Sequence, residues 1–183
     1  MPAEPIAQTG DAVHGAAARP LLMVDIDGVI SLFGGPVMAS SASSAGGGSF
    51  HSIDGIPHFL SSTAAAHLLE LSIIFDLVWA SGWEEKADEH LPRLLGLPAG
   101  LPHLTFERSV GRSNAHWKLD AIEAHANGRA LAWLDDALDE ECHRWAGARS
   151  APTLLVQTEP TRGLTGAEAE ELRRWALSLP AAA

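Results

Sequence analysis

Two pairs of acids stand out by type and spacing. Asp25 and Asp27 flank one isoleucine and precede Gly28, and Asp135 and Asp136 are adjacent. Between them lie Ser81-Gly82 and Lys118, one of only two lysines beside ten arginines. Each acid pair follows an apolar run, and so does Ser81. Four carboxylates gathered in one place stay ionised only if cations are present or some are solvated. A hard divalent cation held by oxygens meets that need, and Mg²⁺ fits best. Lys118 adds a second positive charge. Carboxylates, a hydroxyl, a lysine and a metal together suit a transferring phosphoryl group. The cations neutralise phosphate oxygens, the hydroxyl donates a hydrogen bond, and one carboxylate is left to attack phosphorus.

The elements that would bring these groups together can be read from the pattern. Leu21–Val24, Ile73–Ala80, Ala130–Leu134 and Thr153–Val156 are short apolar runs of the kind found in buried parallel strands, and His103–Phe106 is a weaker one. Helical stripes separate them: Thr63–Leu71; Ala87, Leu91, Leu94 and Leu95; Ala115, Leu119, Ile122 and Ala126; Leu138, Cys142, Trp145 and Ala146; Leu172, Trp175, Ala176 and Leu179. Thr165 and Glu168 form a capping box before the last. Alternating strands and helices predict βαβ units, a mainly parallel sheet and helices on both faces. The site then falls at the carboxyl ends of the strands, where Asp25, Asp27, Ser81, Asp135 and Asp136 all stand. Lys118 is expected in the first turn of a helix, where the dipole disfavours a cation, so another interaction must hold it there.

These residues resemble the motifs of the haloacid dehalogenase (HAD) superfamily, in the family's order. Asp25-x-Asp27-Gly28 resembles the first motif, Ser81 the second, Lys118 the third and Asp135-Asp136 the fourth. The resemblance spans Leu21 to Asp136 and implies a Rossmann-like three-layer α/β sandwich. It implies Asp25 as nucleophile, through an aspartyl-phosphate, and Asp27 as the acid and base that serves the leaving group and then water. Ser81 and Lys118 would bind phosphoryl oxygens. Asp25, the Asp27 backbone carbonyl and Asp135 would hold Mg²⁺, with Asp136 helping directly or through water. Because Asp27 is present, the resemblance favours phosphatase chemistry over dehalogenation. The segments around Val78–Glu84 and Ala132–Asp136 resemble small bacterial members. Beside Ser81, Gly82 and Trp83 are expected at the substrate, Trp83 as a stacking surface for a base or an aromatic leaving group.

The family usually screens substrates with a cap domain. Ser31–Ile56 is too short and too rich in Gly and Ser for one, and predicts a long loop, flap or loose hairpin instead. Without a large cap, an open site can admit a phosphorylated macromolecule.

The 183 residues suit one domain, taken as 20–179 behind a flexible tail at 1–19. A net charge of −11 argues against a broad nucleic-acid-binding surface. The single cysteine, Cys142, permits no disulfide within the chain and no cysteine-based zinc site. No apolar run reaches membrane-spanning length, and the start lacks a signal-peptide layout, so a soluble, cytoplasmic protein is expected. Two other functions fit parts of the pattern. A phospho-accepting signalling module also combines acids, a hydroxyl, Lys and Mg²⁺, but there the lysine comes last in the chain. A non-catalytic binding protein on the same fold would tolerate loss of Asp27 or Lys118, and both are present.

Overall fold

The computed structural model describes residues 19–34, 47–107 and 114–180. Residues 1–18 of the expected tail, and 35–46 of the expected flap, lie outside the described residues. Four parallel strands make the main sheet: β1 (Leu21–Val24), β5 (Asp76–Trp79), β6 (Leu131–Asp135) and β7 (Thr153–Gln157), in spatial order β5-β1-β6-β7. The central β1 is buried on both faces, which is why its sequence is apolar throughout.

Successive strand residues point to opposite faces and build two cores. Leu22, Val24, Leu77, Trp79, Ala132, Leu134 and Val156 pack on one side with α1 (Ser62–Leu71), α2 (Lys86–Leu95) and α5 (Gly166–Ser178). Leu21, Met23, Val78, Leu131 and Trp133 pack on the other with α3 (Leu119–Ala126) and α4 (Glu140–Ala148). The result is the expected Rossmann-like three-layer sandwich, with no large cap among the described residues. The capping box forms: Thr165 caps the first turn of α5 and Glu168 reaches back to the Thr165 backbone N–H at 2.9 Å.

Two expected strands are shorter than their apolar runs. The N–H groups of Ile73, Ile74 and Phe75 finish the last turn of α1 by donating to Glu70 and Leu71, so β5 starts only at Asp76. His103–Phe106 contributes one bridge, at His103 beside Trp79. Beyond it the Phe106 N–H donates to the Glu84 carboxylate at 2.9 Å, and the ladder stops.

The stretch expected as a loop or loose hairpin carries regular structure. Here β2 (Ser31–Leu32), β3 (Gly48–Ile53) and β4 (Ile56–Ser61) form a three-stranded antiparallel sheet in order β2-β4-β3. Asp54 and Gly55, both at positive φ (52° and 80°), make the two-residue turn between β3 and β4. The Lys86 ammonium pairs with Asp54, tying the hairpin tip to the start of α2. No helix among the described residues is long and apolar enough to cross a membrane.

Candidate active site

The carboxyl ends of β1, β5 and β6 meet at one edge, and the sequence-predicted residues gather there. The parallel register sets Val24 beside Leu134 and Trp79, so Asp25, Asp135 and Ala80-Ser81 leave the sheet side by side. The Asp25 N–H donates to Leu134 O, and the Ala80 N–H donates to Val24 O. Lys118 arrives from the opposite direction, at the end of a 3₁₀ turn (His116–Lys118) that runs into α3. The turn is fastened to the loop after β6, where the Ala115 N–H donates to Ala137 O at 2.9 Å.

Lys118 is the electrostatic centre of this cluster. Its ammonium lies 2.7 Å from Asp135 Oδ2 and 3.0 Å from Asp25 Oδ2. Only 4% of Lys118, 7% of Asp25 and none of Asp135 is exposed, so neither attraction is screened by water. The second oxygen of each acid also has a donor: Ile26 N–H for Asp25 and Ala137 N–H for Asp135. Burial works against the ammonium, but Asp25 and Asp135 outweigh it and hold the Lys118 pKa above the ordinary lysine value. These contacts supply the reason for a cation at a helix start.

One ammonium does not balance three acids. Asp25, Asp135 and Asp136 each place an oxygen within 4.8 Å of the others. Burial and the Asp25 charge push the Asp135 carboxyl up to about 6, against the pull of Lys118. Burial, Asp25 and Asp135 push Asp136 up to about 7. Three oxygen donors with more negative charge than one ammonium can offset fit a hard divalent cation. The residues at this edge therefore suit the expected Mg²⁺. Asp139 caps α4, accepting from the N–H groups of Glu141 and Cys142, and bonds His116 at 2.6 Å, so it is engaged away from the cluster.

Gly28 is needed for Asp136 to stand where it does. Its φ is +74°, and a Cβ there would lie 2.4 Å from the Asp136 carboxylate. Gly28→Ala thus combines backbone strain with a clash. The expected result is a melting temperature lower by several degrees, with Mg²⁺-induced stabilisation largely lost. Differential scanning fluorimetry with and without metal checks both.

Asp27 stands apart from the three-carboxylate cluster. Its Oδ2 accepts the indole N–H of Trp83 at 3.1 Å. Ser81 is buried, its hydroxyl 3.5 Å from the Trp83 backbone N–H. Gly82 is exposed, with open space where a Cβ would stand. Trp83 is partly buried against the core. Trp79 and Trp133 are wholly buried.

Thr158 is a site residue that the sequence reading missed. It is buried just beyond β7, donates through Oγ1 to Gly28 O at 2.8 Å and through its N–H to Asp135 O at 3.1 Å. It joins the first and last acid motifs from behind. Its position after an apolar strand was the available signal.

A parallel αβα sandwich with Asp25, Asp27, Ser81, Lys118 and an acid pair along its carboxyl edge defines a HAD-like protein. The comparison of the sequence with family models agrees: residues 21–169 match the HAD domain in Swiss Army Knife RNA repair proteins. The chain belongs to that family. No curated protein matches it.

Proposed function

We propose that this protein is a Mg²⁺-dependent phosphomonoesterase that works through an aspartyl-phosphate on Asp25. The observation that carries the reading is the buried Lys118 ammonium held between Asp25 and Asp135, with Asp136 completing an oxygen-donor cluster. Asp25, Asp135 and Asp136, with the backbone carbonyl of Asp27, would hold the metal. When bound, the cation neutralises charge on the phosphoryl oxygens.

The chain's own groups account for the remaining chemistry. Lys118 and Ser81 bind phosphoryl oxygens beside Asp25. A carboxylate oxygen of Asp25 attacks phosphorus as the bond to the leaving oxygen breaks, and Asp27 gives that oxygen a proton. Water then attacks the acyl phosphate and loses a proton to Asp27, which frees phosphate and restores Asp25. Gly82, exposed beside Ser81, borders the approach to the phosphoryl site.

The family's HAD domain is described from RNA repair proteins, which makes a terminal phosphate on an RNA end the first substrate to try. With a net charge of −11, the grip on such a strand is local to its end and does not spread over a broad basic surface. Phosphate release from an aryl phosphate and from end-phosphorylated RNA, with Mg²⁺ and with chelator, tests the reading. Turnover abolished by chelator is expected. A stable acyl phosphate without turnover would instead indicate a phospho-accepting module. Phosphate-dependent binding with no chemistry would indicate a binding protein.

The raised carboxyl pKa values set a pH dependence. In the metal-free protein Asp135 and Asp136 lie at about 6 and about 7, so both carry protons at low pH that a metal must displace. Magnesium affinity should fall roughly tenfold or more between pH 8 and pH 6, as isothermal calorimetry would show. These acids stabilise the metal-free fold while protonated, below the unfolded carboxyl value, and that contribution is lost as pH rises through about 7. Added Mg²⁺ should therefore raise the melting temperature more at pH 8 than at pH 5.5.

A further inference from the structure

Trp83 is held in a closed circuit of contacts that ends on Asp27. Its indole N–H donates to Asp27 Oδ2 at 3.1 Å. The His58 ring meets it edge-on, with ring centroids 4.9 Å apart and planes at 72°. His58 Nδ1 and the Ser31 hydroxyl share a 2.9 Å hydrogen bond. Ser31 closes the circuit, because it bridges to Asp27 and its carbonyl accepts the Gly28 N–H at 2.8 Å. The Lys86–Asp54 pair fastens the small sheet to α2 on the same side. The indole is thereby fixed by three elements: the loop after β1, the antiparallel sheet and the loop after β5.

A proton-transferring carboxyl must present its oxygen in one orientation, since misplacement by about 1 Å can cost on the order of 10²-fold in rate. Asp27 reaches its place through two rotatable side-chain bonds. The indole N–H on Oδ2 restricts rotation of that carboxylate, and Trp, unlike Phe, supplies this donor. We infer that Trp83 is the positioning residue for Asp27, and that the antiparallel sheet acts through His58 to hold the indole. This inference rests on the phosphomonoesterase reading, in which Asp27 protonates the leaving oxygen. It assigns Trp83 a role on the enzyme's own acid in place of a stacking surface for substrate.

The leaving group separates these roles. An alkyl oxygen needs its proton as the bond to phosphorus breaks, whereas a nitrophenolate leaves without one. The experiment compares kcat/KM, which reports the step in which the leaving group departs, for an alkyl phosphate and for p-nitrophenyl phosphate with Mg²⁺. Trp83→Phe should lose about 10- to 100-fold on the alkyl ester, a fraction of what a general acid contributes. On the aryl ester it should change by less than about threefold, and in an Asp27→Asn background it should cost nothing further. If Trp83→Phe does not fold, benzothienylalanine at position 83, which replaces the indole N–H with sulfur in nearly the same shape, replaces it in the same assay. Equal losses on both esters, or a loss that persists undiminished beside Asp27→Asn, would overturn the inference alone. End-phosphorylated RNA serves as the alkyl ester if a small one is not turned over, and absence of wild-type turnover on every one of these esters would overturn the phosphomonoesterase reading and this inference with it.

Discussion

Asp25→Asn should abolish phosphate release, by at least about 10³-fold, in a protein that folds as well as the wild type. The two halves of this expectation have separate physical grounds. Loss of activity follows from loss of the only nucleophile the mechanism uses, since a neutral amide cannot form the acyl phosphate. Retention of fold follows from the charges. The Lys118 ammonium keeps its 2.7 Å contact with Asp135 when its 3.0 Å contact with Asp25 is lost. The Asp25 charge is also among the causes that push Asp135 and Asp136 up. Its removal should bring both carboxyls down toward the ordinary range, which offsets the lost ion pair. Thermal unfolding of the metal-free variant should then stay within about 1 kcal/mol of wild type. A fully active Asn variant would sink the aspartyl-phosphate mechanism. An inactive but unfolded one would show that Asp25 is needed for the fold before any chemistry.

The parts of this site that could be read in the sequence are those set by local pattern. The apolar run Leu21–Val24 and the one before Asp135 identify buried parallel strands, and residues at their carboxyl ends share an edge wherever such strands are neighbours. That geometry places Asp25, Ser81 and Asp135 without knowledge of any contact. Lys118 was legible through a conflict, a cation at a helix start, and the structure resolves it with two buried carboxylates.

The parts that were not legible depend on pairings across long stretches of chain. Trp83 and Asp27 are separated by 56 positions, and no periodicity links an indole donor to a distant carboxylate. The antiparallel sheet was legible only in part, because the Gly/Ser-rich run read as a long loop or a loose hairpin, while Asp54-Gly55 makes a tight hairpin turn and most of β4 lies beyond that run. Strand limits failed for a related reason. Whether Phe75 or Phe106 continues a ladder depends on which acceptor takes its N–H, and in both cases an acceptor outside the strands does.

Removal of Lys118 should have the largest effect on stability. Lys118→Met keeps the length and bulk of the stem but leaves Asp25 and Asp135 facing one another in a dry site. Breaking a buried ion pair from one side typically costs about 3–5 kcal/mol, because the remaining charges are left without compensation. For a chain of this size that corresponds to a fall of roughly 10 °C in melting temperature. The loss should depend on pH. Below the range in which Asp135 ionises, the variant buries a neutral acid and the deficit shrinks. Above it, two like charges face each other and the deficit is full. Asp135→Asn in the same chain should therefore recover much of the stability at pH 8, although phosphatase activity stays absent. Neither variant should restore turnover, since the cation that offsets phosphoryl charge is gone in both. A Lys118→Met protein that melts within a degree of wild type at pH 8 would mean that the three acids are not compensated by Lys118. The charge balance from which the metal site is argued would then have to be redrawn.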